Sequence, residues 1–209
     1  ASILTPVFSR YVIDLNRPPD DAPMYPGASN TELCPTRFFT GDPLYKEGCQ
    51  PDADEKLRRR EIYWQPYHQA LAGELGRLRS LHSNVLLWDA HSIRGEIPWL
   101  FDGKLPDLNV GTANGLAAAE SVGLAVMEVC SQQEQFTHVL NGRFKGGYIT
   151  RCYGNPQGGI HAVQLEKCQS VYMNEMPPYE YKPELAAQVQ PLLHKMVVAA
   201  LNQVKSLSL

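Results

Sequence analysis

The chain has 209 residues, 44% of them hydrophobic, enough to bury a sizeable core as one domain. A formal net charge of -3 supplies no basic surface for nucleic acid or an anionic membrane, so neither is an expected partner. No apolar run approaches the roughly 20 residues that cross a bilayer. Cys34, Cys49, Cys130, Cys152 and Cys168 show no CxxC spacing, which disfavours zinc fingers and disulfide scaffolds and predicts reduced thiols in the cytoplasm.

In chain order, the apolar opening predicts a strand near residues 3–15, ending in Asp14-Leu15-Asn16-Arg17 and stopped by Pro18-Pro19. The long stretch from Pro18 to about Pro51 lacks periodicity, and its Tyr25, Arg37 and Tyr45 suggest a packed active-site loop. Asp52-Ala53-Asp54-Glu55 has the form of a capping box. Leu57, Trp64, Tyr67, Leu71, Leu75 and Leu78 then recur at helical spacing, with Pro66 as a candidate kink. Arg58-Arg59-Arg60 reads as a solvated face, and His68 as a partly exposed helix residue.

Val85-Leu86-Leu87-Trp88 opens a strand over 85–91, followed by a second loop over 92–114. An Ala-rich helix is expected from about Gly115 to Cys130, a strand over 137–140, and another strand carrying His161 to Glu166. Pro183 opens a final helix whose Leu185, Val189, Leu192, Met196, Ala200 and Val204 form an apolar stripe, with Pro191 as its irregularity and His194 partly exposed. His82 falls in a loop. Strands alternating with helices, without internal repeat, point to an α/β three-layer sandwich.

Chemistry concentrates at the strand ends. Side chains alternate along a strand, so Asp89 and His91 share a face where the strand leaves the core, and such a pair can supply a metal ligand with its orienting carboxylate. A solvated Asp beside a satisfied His remains the alternative. Asn16-Arg17 offers an amide and a planar charged fork suited to gripping a carboxylate, against which stands a surface salt bridge. Glu166 ends its strand on the face of Gln164 and Ala162, with His161 facing the other way. HExxH, P-loop, GxSxG and strand-following GxGxxG motifs are absent. A Cys152 or Cys168 nucleophile paired with His161 is disfavoured, since cysteine is more often a small buried hydrophobe.

In order and spacing, the strings at Asp14 to Arg17, His91-Ser92 and Leu165-Glu166 resemble the active-site landmarks of the zinc carboxypeptidase and aspartoacylase superfamily. The run from Asn141 to Arg151, which reads NGRFKGGYITR, and Gln164-Leu165-Glu166 are more particular and resemble the N-formylglutamate amidohydrolase family. Arg10 to Arg17, Tyr25-Pro26-Gly27, Cys34-Pro35-Thr36-Arg37, Trp88 to Arg94 and Leu105-Pro106-Asp107-Leu108-Asn109 match the same family, so the likeness runs almost end to end.

The resemblance implies a phosphorylase/hydrolase-like, zinc carboxypeptidase-like fold with a mixed central sheet. It also implies hydrolysis of N-formyl-L-glutamate to L-glutamate and formate in histidine degradation. Zn2+ or another divalent metal would be the cofactor, with His91 as ligand and Asp89 as ligand or support. Glu166 would be the catalytic base. Asn16 and Arg17 would bind the α-carboxylate, leaving Arg94, Arg143 and Arg151 for the side-chain carboxylate or the oxyanion. A small dicarboxylate is thus the expected partner, while oligomeric state stays open. Family members carry a Pro-His-Ser/Ala-Gly segment before the equivalent of Ala1. Residues 1–209 are therefore expected to be a single catalytic domain lacking an N-terminal segment, and inactive if that segment holds the remaining ligands. Two other readings stay open: a hydrolase of another N-acyl or N-formyl amino acid, and a non-catalytic carboxylate-binding remnant without its metal.

Overall fold

A computed structural model describes residues 1–208. The backbone divides into two compact units, residues 1–78 with 97–102 and residues 79–96 with 103–209. No helix among the described residues is long and apolar enough to cross a membrane. The five cysteines are free thiols.

The first unit departs most from expectation. Residues 3–15 form turns and irregular chain instead of a strand. Ile3 and Val7 are almost fully exposed, so their alternation meets no apolar surface that would favour a strand. The chain turns instead, with the Asn16 amide donating to Asp14 Oδ1 at 3.0 Å and the Arg17 amide to Asp14 O at 3.1 Å. Residues 18–51 contain no helix or strand, but side chains tie the backbone. The Leu33 amide donates to Asp21 Oδ1 at 2.6 Å, and Glu32 accepts from the Thr36 amide and hydroxyl.

The long helix comes in three pieces: α1 (Ala53–Arg59), a π-helical turn (Arg60–Trp64) and α2 (Gln65–Leu81). Asp52 caps α1 through the Glu55 amide, as its spacing predicts. The π turn lies just before Pro66, which has no N–H to give the preceding turn; the wider winding absorbs that mismatch. It also rotates the apolar stripe. Leu57 turns out to solvent, and Trp64, His68, Leu71 and Leu75 become the buried face. His68 is therefore core, contrary to expectation: it stacks on Trp64 with centroids 3.8 Å apart and its Nε2 meets Leu15 O at 2.9 Å. The basic triplet is likewise only partly a solvated face. Arg58 is exposed, but Arg59 reaches Val12 O and Tyr45 Oη, and Arg60 reaches Pro19 O.

The second unit is a four-stranded mixed sheet with helices. Its strands are β1 (Val85–Ile93), β2 (Leu108–Gly111), β3 (His138–Leu140) and β4 (Ile160–Cys168), ordered β1-β4-β2-β3. β1 and β4 are parallel, β2 is antiparallel to β4, and β3 is parallel to β2. β4 lies inside the sheet, and His161 to Glu166 are all buried, so both of its faces are covered.

β2 corrects the loop expected over 92–114. All four of its residues are buried, although a strand this short, starting just after Pro106 and ending in Gly111, carries no periodic signal. The helix expected from Gly115 begins later, as α3 (Glu120–Ser131), because Ala113, Asn114 and Gly115 adopt positive φ. Ala117, before it, packs with Ala113 and Ala162 against Leu87. A short helix, α4 (Tyr148–Tyr153), follows the glycine-rich run, and α5 (Pro183–Ser206) closes the chain. The stripe on α5 is buried at Val189, Leu192, Met196, Ala200 and Val204, and His194 is exposed as expected. α3 and α5 pack on each other, α5 also against β1 and α3 against β3.

Candidate functional site

The strand register assembles a polar cluster from residues that are far apart in sequence. His91 pairs with Glu166 and Asp89 with Gln164 across β1 and β4, while Asn109 of β2 pairs with Glu166 from the other side. Paired residues project to the same face, so Asp89, His91, Asn109, Gln164 and Glu166 share one face at the carboxyl ends of β1 and β4. Four of these side chains are buried, and His91 keeps 28% of its side chain exposed.

Hydrogen bonds orient most of these polar groups. His91 Nε2 lies 2.7 Å from Asp89 Oδ1, which in the neutral imidazole puts the proton on Nε2 and the ring lone pair on Nδ1. Thr150 of α4 donates to Asp89 Oδ2 at 3.5 Å. Gln164 Oε1 accepts the Gly147 amide at 2.7 Å, which orients the carboxamide so that Nε2 donates to Glu166 Oε2 at 3.4 Å. Asn109 Nδ2 donates to the Glu166 carbonyl at 3.1 Å, while its Oδ1 is buried without a hydrogen-bond partner among the described residues. Below the face, Lys167 reaches the His91 carbonyl at 3.3 Å; burial depresses its pKa, and the Glu166 charge opposes that shift.

The glycine-rich run approaches the sheet closely. A Cβ on Gly111 would lie 2.5 Å from the Gly146 nitrogen and 2.6 Å from the Lys145 carbonyl carbon, so only glycine permits the contact. Gly146 itself holds φ at +112°, a conformation that suits glycine alone. Asn141 fixes the start of this run by accepting the Thr112 amide at 2.8 Å. The run thus delivers Gly147 to Gln164 and α4 to Asp89.

The arginines fall into different settings. Arg17, in the first unit, spends its fork internally: Nε on Thr31 O at 2.9 Å, NH1 on Asn16 O at 2.7 Å with Asp14 at 3.7 Å, and NH2 on Thr31 Oγ1. Burial alone would raise the Asp14 pKa, but the charges of Arg10 and Arg17, the Arg10 hydrogen bond and the Asn16 amide outweigh it and hold the carboxyl below its usual range. Asn16 is buried on that turn, so the pair does not end a strand. In the second unit, Arg143 lies 5.4 Å over the Phe144 ring. Arg151 donates from Nε to Gly146 O at 2.9 Å and lines a cleft of ≈ 210 Å³ with Ala113, Asn114, Leu116 and Ala117. Arg94, three residues beyond His91, has a buried Nε without a hydrogen-bond partner among the described residues.

The donor set decides which chemistries fit. An imidazole backed by a carboxylate is the usual arrangement of one metal ligand and its orienting group. A catalytic zinc takes three protein ligands and a water. Among the described residues no three His, Cys, Asp or Glu side chains are grouped to hold a metal, so this face offers one such ligand and not a complete set. Cysteine chemistry does not fit. Burial pushes the Cys168 thiol up to about 12, Cys152 is exposed on α4, and His161 is buried with Nδ1 accepting the Ala119 amide.

Asp89 and His91 share a face, as strand alternation predicts, and the register sets Glu166 beside His91; Asn109 and Thr150 are not among the residues the sequence points to. The short run Leu108-Asn109-Val110 between Pro106 and Gly111 was the available signal for Asn109.

Residues 1–173 match the family model of N-formylglutamate amidohydrolase. N-formylglutamate deformylases of Pseudomonas putida and Pseudomonas aeruginosa are 51% and 47% identical over 201 residues, covering 96% of this chain and 75% of each relative. The crystal structure of N-formylglutamate amidohydrolase from Ralstonia eutropha JMP134 aligns with a TM-score of 0.72 at 21% identity, over 93% of this chain and 73% of that one. That of a gene product from Agrobacterium tumefaciens aligns with a TM-score of 0.68 at 17% identity, over 95% and 70%. At those identities the two structures bear on the fold alone.

Proposed function

Because the chain belongs to the N-formylglutamate amidohydrolase family, we propose that it hydrolyses the formyl amide of N-formyl-L-glutamate, giving L-glutamate and formate. The observation that carries this reading is the pairing of Glu166 with His91 across two parallel strand ends, a carboxylate beside an imidazole that Asp89 orients.

In the reaction, water adds its oxygen to the formyl carbon and the carbon–nitrogen bond breaks. Glu166 accepts a proton from the attacking water and delivers it to the leaving nitrogen, so one carboxylate serves as base and then as acid. Gln164 holds that carboxylate through Nε2, and the Gly147 amide holds Gln164 in turn. Asp89 fixes the ring of His91 through Nε2. A divalent cation, zinc by resemblance, would be taken at His91 Nδ1 and would polarise the formyl carbonyl and acidify water towards a pKa of roughly 7. The substrate carries two carboxylates, for which Arg94, Arg143 and Arg151 of the second unit are the candidate receptors.

We further read the mixed sheet as the middle layer of a three-layer, zinc carboxypeptidase-like sandwich. We read the reaction as a cytoplasmic step of histidine degradation, a placement that the family resemblance supports. The test is formate release from N-formyl-L-glutamate by the intact protein. Activity is expected to disappear after chelation and return on adding back a divalent metal. Full activity in a metal-free preparation overturns the metal reading, and no release under any metal supplement overturns the deformylase reading.

A further inference from the structure

Asn109 is polar where an apolar side chain would be the stable choice. It lies in β2 between the fully buried Leu108 and Val110, keeps only 1% of its own surface exposed, and asparagine is a poor strand former. Both hydrogens of its amide nitrogen are used: Nδ2 donates to Pro106 O at 2.7 Å and to Glu166 O at 3.1 Å. Turning the carboxamide over would set Oδ1 against two carbonyl oxygens, so these bonds fix its orientation. Oδ1 is thereby left buried without a partner among the described residues. A leucine of nearly the same shape would leave no such orphan, so stability alone does not account for the amide. What the amide does, and leucine cannot, is bridge β2 to β4 at Glu166.

The anchor of that bridge is firm. Two residues beyond Glu166, the Cys168 amide donates to Asp107 O at 2.8 Å and Cys168 Sγ to Pro106 O at 3.2 Å, which ties the approach to β2 onto β4. Asn109 adds a tie at Glu166 itself, from the side of β4 opposite β1 and His91. Gln164 holds the Glu166 carboxylate and Asn109 holds its main chain, so both ends of the side chain are located.

We infer that Asn109 is a positioning residue for Glu166: by fixing the main chain, it sets the distance from the carboxylate to the water that it deprotonates. The inference rests on the base role of Glu166 in the deformylase reading above and extends it to a residue whose burial keeps it from the substrate.

The experiment measures kcat and KM on N-formyl-L-glutamate, and the urea unfolding midpoint, for the intact, metal-supplemented wild type, Asn109→Leu, Asn109→Ser, Glu166→Gln, and Asn109→Leu in the Glu166→Gln background. Asn109→Leu keeps the shape without the bridge, and kcat should fall by about 100-fold at nearly constant KM, the scale of a base displaced by about 1 Å. Asn109→Ser retains one hydrogen for one of the two carbonyls and should fall between; it also serves if the leucine variant does not fold. On top of Glu166→Gln, Asn109→Leu should lower kcat by no more than about twofold, since no base is left to position. A residue that served the fold alone would lower the unfolding midpoint and act on kcat independently of residue 166. Asn109 variants with wild-type kcat, or a loss that persists in full on top of Glu166→Gln, overturn the inference while leaving the deformylase reading intact. A wild type that releases no formate overturns both.

Discussion

Before α1, the first unit buries few apolar side chains, among them Ile13, Met24, Leu33 and Cys34, and fixes its chain through polar bonds from Asp14, Arg17, Asp21, Glu32 and Arg59. The second unit buries Val122, Val126, Val163, Met196 and Val204 completely or nearly so around a hydrogen-bonded sheet. The contrast sets what each region is sensitive to. Apolar burial is non-directional and insensitive to protonation, whereas a buried carboxylate between two arginines depends on its charge. The polar cluster of the proposed reaction sits on the sheet of the second unit, so chemistry and folding should be separable there.

The largest expected effect tests that separation. Glu166→Gln keeps the shape of the side chain but cannot accept a proton, so kcat should fall by about 10²–10⁴-fold with KM and the unfolding midpoint little changed. Formate release and urea unfolding on the same preparation measure both. A variant with normal turnover would remove Glu166 from the base role, and one that unfolds would make the residue structural.

Next comes the core of the second unit. Met196→Ala should cost about 2–5 kcal/mol in urea unfolding, because Met196 is fully buried in α5 and its removal leaves a cavity. That loss should be nearly constant between pH 4 and 8. A strongly pH-dependent loss would contradict the division between apolar and ionic support.

The first unit should behave in the opposite way. Asp14 has a folded-state pKa below its unfolded value, so its contribution is present above about pH 4 and is lost as pH falls through the folded value. Asp14→Asn should therefore cost about 1–3 kcal/mol at pH 7 and progressively less on acidification, where the wild type has lost the same contribution. Parallel unfolding titrations of wild type and variant check the sign: a difference that grows below pH 4 would refute it.

The same contrast explains what could be read from the sequence. α5 was legible because one face is buried, which writes a period of 3.6 into the chain, whereas β1 and β4 were legible as short apolar runs, β4 being buried on both faces. Asp89, His91 and Glu166 were legible with them, as polar residues ending apolar runs. That His91 meets Glu166 was not, since register is a property of two strands 75 positions apart. β2 escaped notice because four residues between Pro106 and Gly111 carry no period. Residues 3–15 misled for the converse reason: Ile3, Val7 and Phe8 alternate as in a strand but stay exposed. The π turn before Pro66 moved His68 into the core by shifting the helical phase, which no fixed period anticipates.

The smallest expected effect concerns Arg17, for which sequence and structure suggest different work. From the Asn16-Arg17 motif, a bidentate grip on the α-carboxylate is expected; in the folded chain Nε and both terminal nitrogens are bonded to Thr31 and Asn16, beside Asp14. A lysine keeps the charge but offers donors from one point, so it cannot span Thr31 O and Asn16 O together. As a loop anchor, Arg17→Lys should cost about 1 kcal/mol of stability, the net worth of the hydrogen bonds lost. It should also raise the Asp14 pKa by moving the compensating charge away. As a carboxylate grip, it should instead lower kcat/KM on N-formyl-L-glutamate, with little further loss on an analogue whose α-carboxylate is an amide. Urea unfolding together with kinetics on both substrates separates the two. The bonds in place favour the anchor, so the stability loss should appear and the substrate-dependent coupling should not; the reverse pattern would mean that these bonds are exchanged for substrate on binding.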